Sequence, residues 1–355
     1  MKKRNILLIV PNFHNLGKVI ENELLSQGYD VTVVESKIFK EDFRLHKTFM
    51  SFFFFLLNPF YKIRYTKKVI NKINNKKFDI LFTAGYLSTT SRLFKHLKDR
   101  NANIKTILYL WDSFSAWDFS YLLDYFDYKY SLCTDDCKKY ASKKLIYLPV
   151  FYSFVNMQKN ILYEISHVGT LNKHYNTRMK VLDTVRNQAN VLGLHTYIRT
   201  YASSLNSSFF KRKKILSFLR DRLNYLTDSE FRNHIIALRK YKDKGFIFDS
   251  VLNQDIFDQI EHQSKCILDI NLDEGGAGVN HRTIRAIAMG KKVITTNKHI
   301  INEDFYFPEN ISIIDKTNPV IDIHFINTPN KKVDISYLRI DNWIRKIFKD
   351  VGVNN

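Results

Sequence analysis

The sequence predicts an α/β protein in two domains, and three observations carry that prediction. Short apolar runs alternate with amphipathic stretches along most of the chain, the pattern of parallel strands joined by helices. The length, 355 residues, suits two domains of ordinary size. Near the C-terminal end a glycine-rich loop, Asp273-Glu274-Gly275-Gly276-Ala277-Gly278, stands between an apolar run and a short helical pattern. That unit brings backbone N–H groups and a helix N-terminus to bear on a phosphate.

In the first half, residues 5–10 read as a buried strand, Lys18 to Gln27 as a helix closed by Gly28, and Tyr29 to Glu35 as a second strand. The turn between them lacks the G-x-G-x-x-G fingerprint, so it gives no support for a dinucleotide. His14, in that turn, reads either as an acceptor contact or as a loop histidine with no special task. Phe78 to Thr83 and Lys105 to Leu110 are further strands, with a helix over Thr90 to Lys98 between them. The second of these strands runs into Trp111-Asp112-Ser113. Polar residues just past the carboxyl ends of strands line the ligand crevice of open α/β sheets, which makes Asp112 a candidate base or positioning group. A helix-capping Asp is the alternative reading. Asp127 to Leu132 and Leu145 to Leu148 complete the first domain, with a helix over Asp135 to Lys143, and the boundary falls near residue 155.

The second half repeats the rhythm. Tyr163 to Val168 is a strand leading into Gly169-Thr170, Tyr175 to Leu192 a helix, Leu194 to Tyr201 a strand. Around Ile215 to Leu223 the apolar spacing suits an amphipathic helix within a basic stretch. Gly245 to Phe248 is a short strand and Asp255 to Gln263 a helix. Cys266 to Ile270 is a strand, Arg282 to Met289 a helix ended by Gly290, and Val293-Ile294 opens another strand. After Tyr306 the pattern fades until Ile335 to Lys349, a helix with Leu338, Ile340, Trp343, Ile344 and Ile347 facing inward.

Composition narrows the function classes. Three cysteines cannot build a disulfide framework, and Cys133 and Cys137 have no second Cys or His pair beside them for zinc. No apolar run approaches the roughly twenty residues that span a bilayer, and Met1-Lys2-Lys3-Arg4 with its short apolar sequel reads as the first strand. The expected location is therefore cytoplasmic, with peripheral contact on the cytoplasmic membrane face left open. The net charge of +20 calls for an acidic partner, although no nucleic-acid motif is present and none is expected to bind. Residues 37–77 hold eleven Lys or Arg against two acidic residues and enclose Phe49-Met50-Ser51-Phe52-Phe53-Phe54-Phe55-Leu56-Leu57-Asn58-Pro59-Phe60. This is either domain core or an element lying on an anionic inner membrane.

The glycine loop, the helix sequence Ala286-Ile287-Ala288-Met289-Gly290-Lys291-Lys292 and the strand Val293-Ile294-Thr295-Thr296-Asn297 together resemble the donor-binding segment of GT-B glycosyltransferases. The likeness is to bacterial enzymes of capsule and lipopolysaccharide assembly. It implies two Rossmann-like domains facing each other across a cleft, and a C-terminal helix that returns to the first. The domains would be 1–155 for the acceptor, 156–330 for the nucleotide sugar, and 331–355 for the returning helix. The run Ser166-His167-Val168-Gly169-Thr170, with Arg178 eight residues later, resembles the first strand and loop of the donor domain. On this resemblance Gly169, Thr170, Arg178, Gly278, Val279, Asn280 and Arg282 would hold the donor diphosphate, and Ser250 and Val251 would border the base. Many retaining members carry two glutamates around this loop and helix. Here Arg285 occupies the second position, and Glu274 stands for the first at a different spacing.

The resulting expectation is a glycosyltransferase that moves a sugar from a nucleotide sugar to a lipid-linked or polysaccharide acceptor. It needs neither cofactor nor metal, and leaves its stereochemistry open. Asp112, His14 and Glu274 are the candidate catalytic groups. A nucleotide-sugar epimerase of the same fold, or a basic nucleic-acid- or membrane-binding protein, is the alternative.

Overall fold

The computed structural model describes residues 3–11, 15–36, 49–87, 89–115, 118–153, 160–170, 175–201, 225–227, 229–248, 250, 252–271 and 278–353. The chain divides into two compact units. The first comprises Met1–Phe154, Asp273–Ile284 and Ile335–Asn355, and the second Val155–Leu272 and Arg285–Asp334. Each is built on a six-stranded parallel sheet.

In the first unit the strands are β1 (Asn5–Pro11), β2 (Asp30–Ser36), β3 (Ile80–Ala84), β4 (Lys105–Leu110), β5 (Tyr128–Ser131) and β6 (Leu145–Tyr147), in the spatial order β2-β1-β3-β4-β5-β6. Helices cover both faces, so the central strands bury side chains on both sides and read as unbroken apolar runs. Ile6, Leu7, Leu8 and Ile9 are wholly buried, as are Leu81, Phe82, Ile107, Leu108 and Tyr109. The helices are α1 (Leu16–Ser26), α2 (Phe49–Ile73), α3 (Ser91–Arg100) and α4 (Thr134–Lys139). Helix α2 is the element that residue patterning missed: the aromatic patch forms its first half, and it runs without a break through Pro59. It buries Tyr65, Thr66, Val69 and Ile73 against the sheet. Thr66 is tied to the β3–α3 connection by its hydroxyl, 3.0 Å from the Thr89 hydroxyl and accepting from the Thr90 N–H at 3.1 Å.

The second unit holds β7 (Tyr163–Thr170), β8 (Thr196–Tyr201), β9 (Ile247–Phe248), β10 (Ser264–Asp269), β11 (Lys292–Thr295) and β12 (Ile311–Ile313). Their order is β12-β11-β10-β7-β8-β9, the doubly wound arrangement whose chain direction reverses between β7 and β10. Its helices are α5 (Tyr175–Val191), α6 (Ser229–Asp243), α7 (Gln254–His262), α8 (His281–Ala288), which begins in the first unit, and α9 (Ile323–Asn327). A core of Ile165, Met179, Leu182, Val185, Leu238, Phe246 and Leu268 fills the space between sheet and helices. Strand β12 and helix α9 fall where the sequence pattern fades, because three- and five-residue elements are too short to show a period. The helix expected over Ile215 to Leu223 lies outside the described residues.

The C-terminal helix α10 (Ile340–Asp350) belongs to the first unit. Leu338, Ile340, Trp343, Ile344 and Ile347 are all buried, as the spacing predicts. Before the helix, the Tyr152 N–H donates to the Leu338 carbonyl and the Ile340 N–H returns to the Tyr152 carbonyl. Trp343, fully buried, donates its indole N–H to the Pro149 carbonyl at 3.0 Å and meets the Tyr109 ring edge-on, centroids 4.7 Å apart. Phe348 packs edge-on against Tyr29 and Phe82. The returning helix thus seals one face of the first sheet. Among the described residues no helix is long and apolar enough to cross a membrane.

Candidate functional site

In the first unit three strands end side by side. β3 runs into Gly85, β4 into Trp111-Asp112, and β5 into Leu132-Cys133. The Gly85 N–H donates to the Tyr109 carbonyl at 2.7 Å and the Leu132 N–H to the Leu110 carbonyl at 3.0 Å, so the three ends are held in register. Gly85 has φ +91°, and a Cβ there would stand 2.6 Å from the Trp111 ring. Only glycine meets both conditions. Around this contact lies a shallow, open recess lined by Gly85, Tyr86, Leu110, Trp111, Asp112 and Phe119. Tyr86 and Phe119 stack with their centroids 6.1 Å apart.

Asp112 is exposed to solvent, yet the protein gathered round it pushes its carboxyl up to about 6 through desolvation. A group at the bottom of a concave surface satisfies both statements. Because water still reaches it, the shift stays short of what full burial gives. The loop that carries it is braced from α4: the Asp136 carboxylate, itself buried, accepts from the Phe114 N–H at 2.8 Å. Asp136 opens α4 as expected, and its aim back at the loop is a tertiary contact that helix patterning does not reveal.

The end of the glycine loop comes to this same sheet edge. A Cβ on Gly278 would lie 2.1 Å from the Leu132 Cδ1 and 2.5 Å from the Leu132 carbonyl oxygen. Residue 278 is therefore glycine so that the chain can lie on β5. Val279 follows it into the core, 1% exposed. Asn280 then caps α8, its side-chain oxygen accepting from the Thr283 N–H at 3.1 Å. His281 packs edge-on against Phe151, and Arg282 sits half-buried in the first helical turn. The residues that the sequence groups as phosphate contacts thus divide: Val279 is a core side chain and Asn280 a cap, whereas Arg282 stands in the first turn of α8.

In the second unit, Gly169 and Thr170 end β7 at the point where the strand order reverses. Arg178, from α5, donates to the Thr170 carbonyl and, at 3.3 Å, to the Ile270 carbonyl beyond β10. It fastens the ends of the two strands that flank the reversal, a crevice suited to a ligand in doubly wound sheets. Ser250 is an exposed bend residue. His14, Val251 and Glu274 lie outside the described residues.

Arg285, at the position where many retaining members carry glutamate, is buried. Its guanidinium lies 2.5 Å from the Asp258 carboxylate and 3.0 Å from that of Glu261, which is also buried. It therefore joins α8 to α7 by an internal ion pair. Helix α8 closes with Gly290 at φ +63°, where the Lys291 N–H reaches back to the Ala286 carbonyl. Among the described residues no group of three His, Cys, Asp or Glu is placed to hold a metal ion.

No family model matches the sequence, and no curated protein matches it. Solved structures do. The Staphylococcus aureus protein MnaA, solved with UDP, aligns over 99% of this chain and 98% of its own at 10% identity and a TM-score of 0.55. The N-terminal domain of a trehalose-6-phosphate phosphatase from Candida albicans aligns over 99% and 97% at 9% identity and a TM-score of 0.52. A UDP-GlcNAc 2-epimerase from Methanocaldococcus jannaschii aligns over 99% and 100% at 12% identity and 0.49. At such identities the likeness is one of fold. This chain has the two-domain α/β architecture of GT-B type.

Proposed function

We propose that this protein is an enzyme acting on a nucleotide sugar. The observation that carries the reading is the meeting of Gly278 with Leu132. It sets the start of α8, with its N–H groups and Arg282, at the same sheet edge as Asp112 and the aromatic recess. A helix start with a guanidinium suits a diphosphate leaving group. Aromatic faces suit the C–H surface of a sugar ring. That a protein of similar fold was solved with UDP supports a uridine nucleotide as the first to try.

One reading is glycosyl transfer. Asp112 takes the proton of an acceptor hydroxyl, the hydroxyl oxygen bonds to the sugar C1, and the bond from C1 to the diphosphate breaks. Helix α8 and Arg282 take up the negative charge released on the nucleoside diphosphate. The acceptor is a saccharide, free or lipid-linked, of the kind used in cell-surface polysaccharide assembly. A second reading, epimerisation, is supported by the end-to-end correspondence with MnaA, which accounts for nearly the whole chain with a fold that holds UDP. On that reading Asp112 exchanges a proton with the sugar itself and no acceptor is needed.

Thermal-shift measurements against UDP-, GDP-, CMP- and dTDP-sugars test the common ground, repeated with Arg282→Ala. Stabilisation of the wild type by one nucleotide, reduced in the variant, is the expected result. Silence across the panel defeats the proposal. Turnover of the stabilising donor alone, followed by NMR for inversion of a ring carbon, then separates the two chemistries: inversion without acceptor means epimerase, acceptor-dependent release of nucleoside diphosphate means transferase.

A further inference from the structure

Helix α2 turns two different faces to its surroundings. Tyr65, Thr66, Val69 and Ile73 are buried against the sheet. On the opposite side Phe60, Ile63, Arg64, Lys67, Lys68 and Asn71 each stand three or four residues from another member of the set, which places them on one stripe. Phe60 is 71% exposed and Ile63 54%, with Tyr61 exposed beside them. Arg64, Lys67 and Lys68 make no ion pair among the described residues, although Lys72 and Lys76 further along are spent on the edge strand β2. Lys72 donates to the Val33 carbonyl and Lys76 to the Thr32 hydroxyl. The stripe is thus apolar at its start and basic in the following two turns, over a rise of about 12 Å from Phe60 to Lys68.

A water-facing helix gains nothing by exposing phenylalanine and isoleucine beside a run of cations. A surface that is apolar below and anionic above satisfies both. We propose that the outward face of α2 docks on an anionic lipid bilayer. Phe60 and Ile63 enter the boundary between headgroups and acyl chains, and Arg64, Lys67 and Lys68 meet the anionic headgroups. The dimensions agree with an interfacial helix that sinks roughly 5–10 Å. Charge complementarity selects anionic over zwitterionic lipid, since each cation near such a surface is worth on the order of 1 kcal/mol, about a fivefold change in partition. Docking of this kind is independent of which reaction the protein performs.

Flotation of the full-length protein with phosphatidylcholine vesicles, with and without phosphatidylglycerol, tests this. Binding to the anionic vesicles that weakens as salt is raised is expected. Arg64→Gln/Lys67→Gln/Lys68→Gln lowers the partition coefficient on the order of 100-fold. Phe60→Ser/Ile63→Ser lowers it while leaving the salt dependence in place. Lys180→Gln/Lys240→Gln/Lys242→Gln, which removes the same charge from exposed positions of the second unit, leaves binding unchanged. All six replaced cations and both apolar residues lie on the surface, so unaltered melting temperatures verify the fold. Equal binding to both vesicle types, equal loss in the control triple, or retention of RNA but not vesicles by the same three cations would overturn the proposal.

Discussion

The Leu132 carbonyl oxygen stands 2.5 Å from where a side chain on residue 278 would begin. Two residues 146 positions apart in the sequence are thus brought together within the first unit. Gly278→Ala must displace either a backbone carbonyl or the loop. The expected cost is about 1–3 kcal/mol, read as a shift in the urea midpoint, together with weaker stabilisation by the nucleotide. A variant as stable as the wild type would mean that the loop is not seated on β5.

Gly85→Ala probes the recess. Its positive φ and its contact with Trp111 both exclude a Cβ. The strain costs about 1–3 kcal/mol, and displacement of Trp111 changes the recess that Asp112 shares. A fall in turnover larger than the stability loss explains, with nucleotide binding retained, is the outcome to look for by steady-state kinetics and thermal shift.

Asp112 gives a pH signature. Its carboxyl is held up at about 6 by desolvation. As a general base it works deprotonated, so kcat/KM rises as pH passes upward through about 6 and then levels. Asp112→Asn lowers turnover by about 10²–10⁴ and removes that acid limb. Should the limb persist in the variant, another group is the base.

The Arg285 ion pair predicts a structural penalty. Arg285→Met strands the buried Glu261 carboxylate, at a cost of about 3–5 kcal/mol measured by chemical denaturation. The double variant Arg285→Met/Glu261→Met recovers much of the loss, since a buried pair replaced by apolar residues is often close to neutral. If Arg285 instead contacted substrate, the double variant would regain stability and lose nucleotide affinity.

Trp343 tests the returning helix. Trp343→Phe keeps most of the ring contacts but leaves the Pro149 carbonyl without its donor, for about 1–3 kcal/mol. Trp343→Ala adds a cavity and costs about 3–5 kcal/mol. Both are read from urea midpoints.

The sequence by itself determined the strands and the closing helix. Residues 5–10, 105–110 and 266–269 are strands because a parallel strand covered on both faces must be apolar throughout, and such a run is visible in one dimension. Helix α10 was legible because Trp343, Ile344 and Ile347 repeat at helical spacing on a single buried face. Asp112 was singled out because it follows a clear strand end. Tertiary structure decided the rest. Only contact between distant residues fixes Gly278 on Leu132, sets the brace from Asp136 to the Phe114 N–H, and turns Arg285 inward to Glu261. The phenylalanine-rich stretch read equally as core or as surface because composition carries no direction. The fold assigns one only from Phe60 onward, by burying Tyr65, Val69 and Ile73 and leaving Phe60 and Ile63 in water.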